Sequence, residues 1–116
     1  MSEALEHVRG IPDGWIIFSD AAHPDNYVQL PDFGLDPVTT TIEAASRSWP
    51  GVTSPPLSEA QLAGLSALGF STTPEPNYRC VAWTRNPAVI ARLCDDAMLA
   101  LGSDEQYDLA INTAQD

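Results

Sequence analysis

Residues 57–83, LSEAQLAGLSALGFSTTPEPNYRCVAW, constrain the fold more than any other part of the chain. Ser58 is an N-cap residue, and Gln61 stands three positions later, the spacing of a capping box. Leu62, Leu65 and Leu68 follow at helical intervals and make one apolar stripe. Gly69 falls where a chain leaving a helix takes the left-handed conformation, and Phe70 is placed to pack back on the last turn. This helix is therefore delimited at both ends by local chemistry alone. After an irregular STTPEPN stretch, Tyr78 to Thr84 alternates, with Arg79, Val81 and Trp83 opposite Tyr78, Cys80 and Ala82. Asn86-Pro87 then opens a second helix as N-cap and N1 proline. Its expected core stripe is Val89, Ile90, Leu93, Ala97 and Leu101, and Gly102 stops it. A short strand held between two bounded helices leaves an α+β arrangement as the natural one.

The rest of the chain supplies more strands. Trp15 to Phe18 is apolar with strand composition, and 26–30 (NYVQL) alternates, with Val28 and Leu30 on one face. The connector between them is short, so the two pair as an antiparallel hairpin. Residues 38–45 (VTTTIEAA) are rich in β-branched side chains: Val38, Thr40, Ile42 and Ala44 face one way, and Thr39, Thr41 and Glu43 face water. Tyr107, Leu109 and Ile111 alternate in a last strand. The expected order is βββ-α-β-α-β, a two-layer antiparallel sheet with helices on one face. Residues 1–12 form an N-terminal segment that is either a short helix or frayed, and residues 13–116 form one domain. A chain of 116 residues is long enough to bury one core without metal or disulfide staples.

Sixteen acidic residues stand against five arginines and no lysine, a net charge of −11. Nucleic acid and anionic membrane are thereby disfavoured as partners, because binding them requires cationic side chains. Basic clients are favoured, and the same charge keeps a protein soluble. The first ten residues lack the apolar run of a signal peptide, and no 18-residue apolar stretch exists, so a cytoplasmic protein with reduced thiols is expected.

Chemistry is sparse. His7 and His23 stand without an accompanying motif, and Cys80 and Cys94 lack the paired spacing of a zinc site. Neighbouring Asp95 and Asp96 diverge around a helix, and Arg92 pairs with one of them. No catalytic residue, metal or cofactor is expected. The aromatic residues carry more weight. Trp15 is expected in the core. Trp49, in a Pro/Gly/Ser loop, is a candidate surface anchor, and Trp83, Tyr78 and Phe33 join it as candidate protein-binding residues; the competing reading of all four is core or dimer interface. A two-layer sheet also leaves one face or edge open to a partner.

Leu57, Ser58, Gln61, Leu65, Leu68 and Gly69, then Pro76, Asn77 and Tyr78, then the capped helix from Asn86 to Leu101, resemble the pattern of the TY-Chap domains of actinobacteria. These are peptide-binding chaperone domains related to type III secretion chaperones and to YbjN. Phe70 stands where that family more often has tryptophan. The resemblance covers roughly residues 14 to 112 and implies a secretion-chaperone-like α+β fold, commonly dimeric, that holds a protein or peptide client without hydrolysing ATP. It transfers no binding residue. The leading expectation is a non-enzymatic binding module, with a homodimer as the expected assembly. The alternatives are an acidic inhibitor or immunity-type protein that blocks a basic partner, and a small enzyme with an unrecognised site built around His23.

Overall fold

The computed structural model describes residues 1–9, 14–31, 33, 38–47, 51–71, 73 and 77–113. Eight elements follow one another: α1 (Ser2–Val8), β1 (Ile16–Asp20), β2 (Tyr27–Leu30), β3 (Thr40–Ala44), α2 (Glu59–Ala67), β4 (Tyr78–Ala82), α3 (Pro87–Ala100) and β5 (Leu109–Thr113). The fold is α+β: one five-stranded sheet, all neighbours antiparallel, in the order β4-β3-β2-β1-β5, with three helices. The expected hairpin is present and β3 extends it into an antiparallel meander, with Phe18 opposite Val28 and Val28 opposite Ala44. The last strand returns to lie beside the first, which makes β4 and β5 the two edges.

Both longer helices are bounded as their caps dictate. The Ser58 side chain accepts from the Gln61 backbone, and the Gln61 side chain accepts from the Ser58 backbone. Asn86 accepts from the backbone of Ala88 and Val89 ahead of Pro87. At the other ends, Gly69 (φ +99°) and Gly102 (φ +106°) take left-handed backbone. Phe70 N–H then reaches the Leu65 carbonyl, and Ser103 N–H that of Met98, so both helices close with the same paired-bond motif.

The core lies between the helices and one face of the sheet. Ile16 and Phe18 of β1, Val28 and Leu30 of β2, and Ile42 and Ala44 of β3 are all buried, as period-two alternation requires. α3 crosses these central strands, and α1 and α2 pack against it. Leu5 and Val8 of α1 are fully buried, which docks the N-terminal segment onto the core.

Four sequence expectations are corrected by packing. The buried stripe of α3 is Ile90, Cys94, Ala97, Met98 and Leu101, whereas Val89 is half exposed. A helix stripe of this kind is read from spacing alone, and a rotation of one position leaves the spacing intact. Val38 lies before β3 and is exposed, and Trp15 is at the surface instead of in the core. Glu43, expected in water, is 8% exposed. Its carboxylate accepts from Gln29 Nε2 at 2.9 Å, faces Arg79 Nη2 at 3.5 Å, and receives Asn77 Nδ2 at 3.5 Å. A carboxylate so surrounded is tolerated under neighbouring side chains because its oxygens are hydrogen-bonded.

Candidate protein-binding surface

Asn77, in the motif that carries the family resemblance, is scaffold. It is 2% exposed. Its Oδ1 accepts from the Tyr27 hydroxyl at 3.2 Å and from the Ser46 backbone at 3.3 Å, so it ties the start of β4 to β2 and to the end of β3. A second polar assembly lies at the same end of the sheet, where β1 ends and β2 begins. Ser103 Oγ donates to Asp20 Oδ2 (2.9 Å), Asn26 Nδ2 donates to Ser103 Oγ (3.2 Å), and Arg47 Nη2 donates to Asn26 Oδ1 (2.6 Å) and to the Leu101 carbonyl (2.8 Å). Gln61 Nε2 donates to that same carbonyl, the C-cap of α3. Two cationic or amide donors on a terminal carbonyl neutralise the negative end of the helix. Arg47 holds this position with a left-handed backbone, φ +60°, an unfavourable conformation for a non-glycine residue that surrounding contacts must hold in place. Nearby, the Ser54 hydroxyl donates to Asp25 at 2.7 Å and holds that carboxyl below its usual range. His23 borders this polar depression of about 250 Å³. The side chains there bond to one another and to the backbone, which makes it a joint between α2, α3 and the hairpin.

The candidate binding residues separate on inspection of burial. Trp83, one residue past β4, is 81% exposed. Tyr78 and Phe33 belong to the core, at 7% and 2%. Phe33 also lies under the Arg85 guanidinium, 5.0 Å from its ring centroid, and its carbonyl accepts from Arg85 Nη2. Neither is available to a partner in this arrangement. Trp49 lies outside the described residues. Val81, on the same alternation as Trp83, is half exposed and was not singled out by the sequence; its signal was the period-two pattern of β4 itself.

The sheet face away from the helices carries, from β4 across to β5, Arg79, Glu43, Gln29, Ile17 and Asn112 in one row. Beside that row, Trp15, Ile17, Gln29 and Pro31 surround a shallow depression of about 220 Å³. A larger groove, about 400 Å³, runs where α1 and α3 meet β5, with Met1, Ala91, Tyr107 and Leu109 among its walls. The Tyr107 hydroxyl donates to Asp95 Oδ1 at 3.1 Å, and burial together with this acceptor pushes its pKa upward.

The charge is distributed unevenly between structure and solvent. Arg9 pairs with Glu6, Arg79 with Glu43 and Arg92 with Asp96. Arg47 and Arg85 donate to backbone carbonyls. All five arginine side chains are thus engaged within the molecule, while among the described carboxylates Glu3, Glu6, Glu59, Asp104, Glu105 and Asp108 are exposed. Among the described residues no cluster of three metal-ligating side chains occurs, and no helix is long and apolar enough to cross a membrane. Compared with family models, curated proteins and solved structures, the chain matches none.

Proposed function

We propose that the chain is a non-enzymatic peptide- or protein-binding module of the secretion-chaperone type, working in the cytoplasm on a client segment, in line with the TY-Chap resemblance of its sequence. The observation that carries this reading is Trp83. An indole left 81% exposed beside half-exposed Val81, on a domain whose Phe18, Phe33 and Tyr78 are packed away, is the kind of aromatic that anchors a partner. Its cost to the isolated fold is small, so its worth lies in what covers it.

The test is affinity capture from the native host with tagged protein, at low and at high salt, read by mass spectrometry. Wild type is expected to retain one or two near-stoichiometric proteins that Trp83→Ala loses, while the melting temperature of the variant stays put. Capture that is indifferent to Trp83→Ala removes the assignment.

A second reading has its own support. With every arginine engaged internally, the uncompensated negative charge suits an inhibitor or immunity-type protein that covers a basic partner. That reading expects capture that weakens steeply with salt and is insensitive to Trp83→Ala.

A further inference from the structure

We infer that the outer edge of β5 seats an extended client segment in which apolar and basic residues alternate. The inference rests on the binding-module reading and names the chemistry of its client.

The backbone argument is geometric. The Asp108 carbonyl accepts from Ala21 N–H at 2.8 Å. In an antiparallel pair, alternate residues direct both their N–H and C=O to the same side. With Asp20 opposite Leu109 and Phe18 opposite Ile111, Asp108, Ala110 and Asn112 bond to β1. Leu109, Ile111 and Thr113 therefore turn their N–H and C=O groups away from the sheet. No other described residue bonds to them there. An added strand is the partner that satisfies such a row.

The side chains set what that strand would carry. Leu109 and Ile111 lie on the helix side of the sheet, across from Phe18 and Asp20, yet they are 37% and 47% exposed because the helix layer stops short of them. Leu109 lines the groove of about 400 Å³. Asp95 and Glu105 stand on its rim, with Arg92, bridged to Asp96 at 3.1 Å, and Met1 beside them. Asp104 and Asp108 flank Glu105 in the chain. An apolar strip on the helix side, on a protein of charge −11, is complementary to a segment that presents apolar residues to Leu109 and Ile111 and, from its alternate positions, basic residues to the other face of the sheet, where Asp108 stands ahead of Ala110 and Asn112. A second copy of the chain fits the edge less well: it would bring its own acidic excess against this one.

The test uses fluorescence anisotropy with a labelled nonapeptide alternating lysine and valine, and a glutamate–valine counterpart. The lysine peptide is expected to bind the intact protein and the glutamate peptide not to. Ile111→Pro should weaken binding about tenfold or more, since its N–H faces outward and no bond to β1 is lost. Asp108→Asn should weaken it as well, and so should salt near ~0.5 M, where the screening length is about 4 Å. If circular dichroism shows Ile111→Pro unfolded, Ile111→Lys is read in its place, because it sets a like charge against the client. Unchanged binding in the folded edge variant overturns the inference. So does binding lost only in Trp83→Ala, which leaves the module reading standing on the other side of the sheet. A dimer in sedimentation that Ile111→Pro converts to monomer also overturns it, by giving the edge to a second copy. If neither peptide binds and affinity capture is empty, both readings fall together.

Discussion

The two edges of the sheet are built alike and finished differently. On β4, Ser71 N–H donates to the Arg79 carbonyl at 2.8 Å, and Arg79 N–H donates to Ser71 Oγ at 3.1 Å. One serine occupies both outward groups of that residue, so a foreign strand cannot run along the edge past Val81. The helix-side residues of β4, Tyr78 and Cys80, are each 7% exposed, and Cys80 Sγ lies 3.9 Å from the Leu68 carbonyl at the end of α2. On β5 neither protection is found among the described residues: the outward groups of Leu109 and Ile111 are unbonded, and their side chains are half exposed. Edge strands are ordinarily blunted because they template association. Blunting one and leaving the other open distinguishes a closed side of the domain from an available one.

The contrast is broken most severely at its packed side. Tyr78→Ala should cost about 3 kcal/mol, the range for deleting a buried aromatic, whereas Leu109→Ala on the same sheet face at the other edge should cost under ~1 kcal/mol; urea denaturation of both variants checks the difference. Alkali probes the same asymmetry in depth. Burial on the inner face of α3 raises the Cys94 thiol from 9.0 to about 12. Above pH 9 the unfolded chain therefore holds fewer protons than the folded one, and stability falls as pH rises toward 12, by at most about 1.4 kcal/mol per pH unit from this group. Tyr107, also raised, acts with the same sign. Denaturation midpoints followed over that window should decline, and Cys94→Ala should flatten the decline. Ser71→Ala removes the acceptor for Arg79 N–H and should cost about 1 kcal/mol. It should also open β4, so that sedimentation shows concentration-dependent association absent from wild type. The smallest effect belongs to Trp83→Ala, which should leave stability within about 0.5 kcal/mol while lowering client capture.

Much of the scaffold was legible in the sequence because it rests on short-range chemistry. Ser58 with Gln61, Asn86 with Pro87, and the glycines at 69 and 102 each act over a few residues, so their spacing alone predicts helix ends that the structure reproduces. The alternation of β2, β3 and β4 sorted their side chains into two faces for the same reason. What failed shares a different trait. Glu43 reads as water-facing on β3 because its three partners, Gln29, Asn77 and Arg79, come from elsewhere in the chain. Trp15 falls on the side of Ile17 and Gln29, away from the helices, and Val89 on the outer side of α3; which face is covered is decided by packing that no local pattern encodes. Of the candidate binding residues the structure describes, Trp83 is exposed and Tyr78 and Phe33 are core, a division that composition leaves open.

The sequence by itself determined the elements, their bounds, the inner face of most strands and the acidic field, since caps, period-two alternation and net charge are local or additive properties. Only the tertiary structure decided which strands became edges. β5 returns beside β1, so that β4 and β5 are left outermost, and Ser71 happens to fall against one of them while α3 stops short of the other. Strand neighbours and helix coverage are relations between residues far apart in the chain. They are set when the layers pack together, and with them is set which edge keeps outward groups that no other described residue bonds.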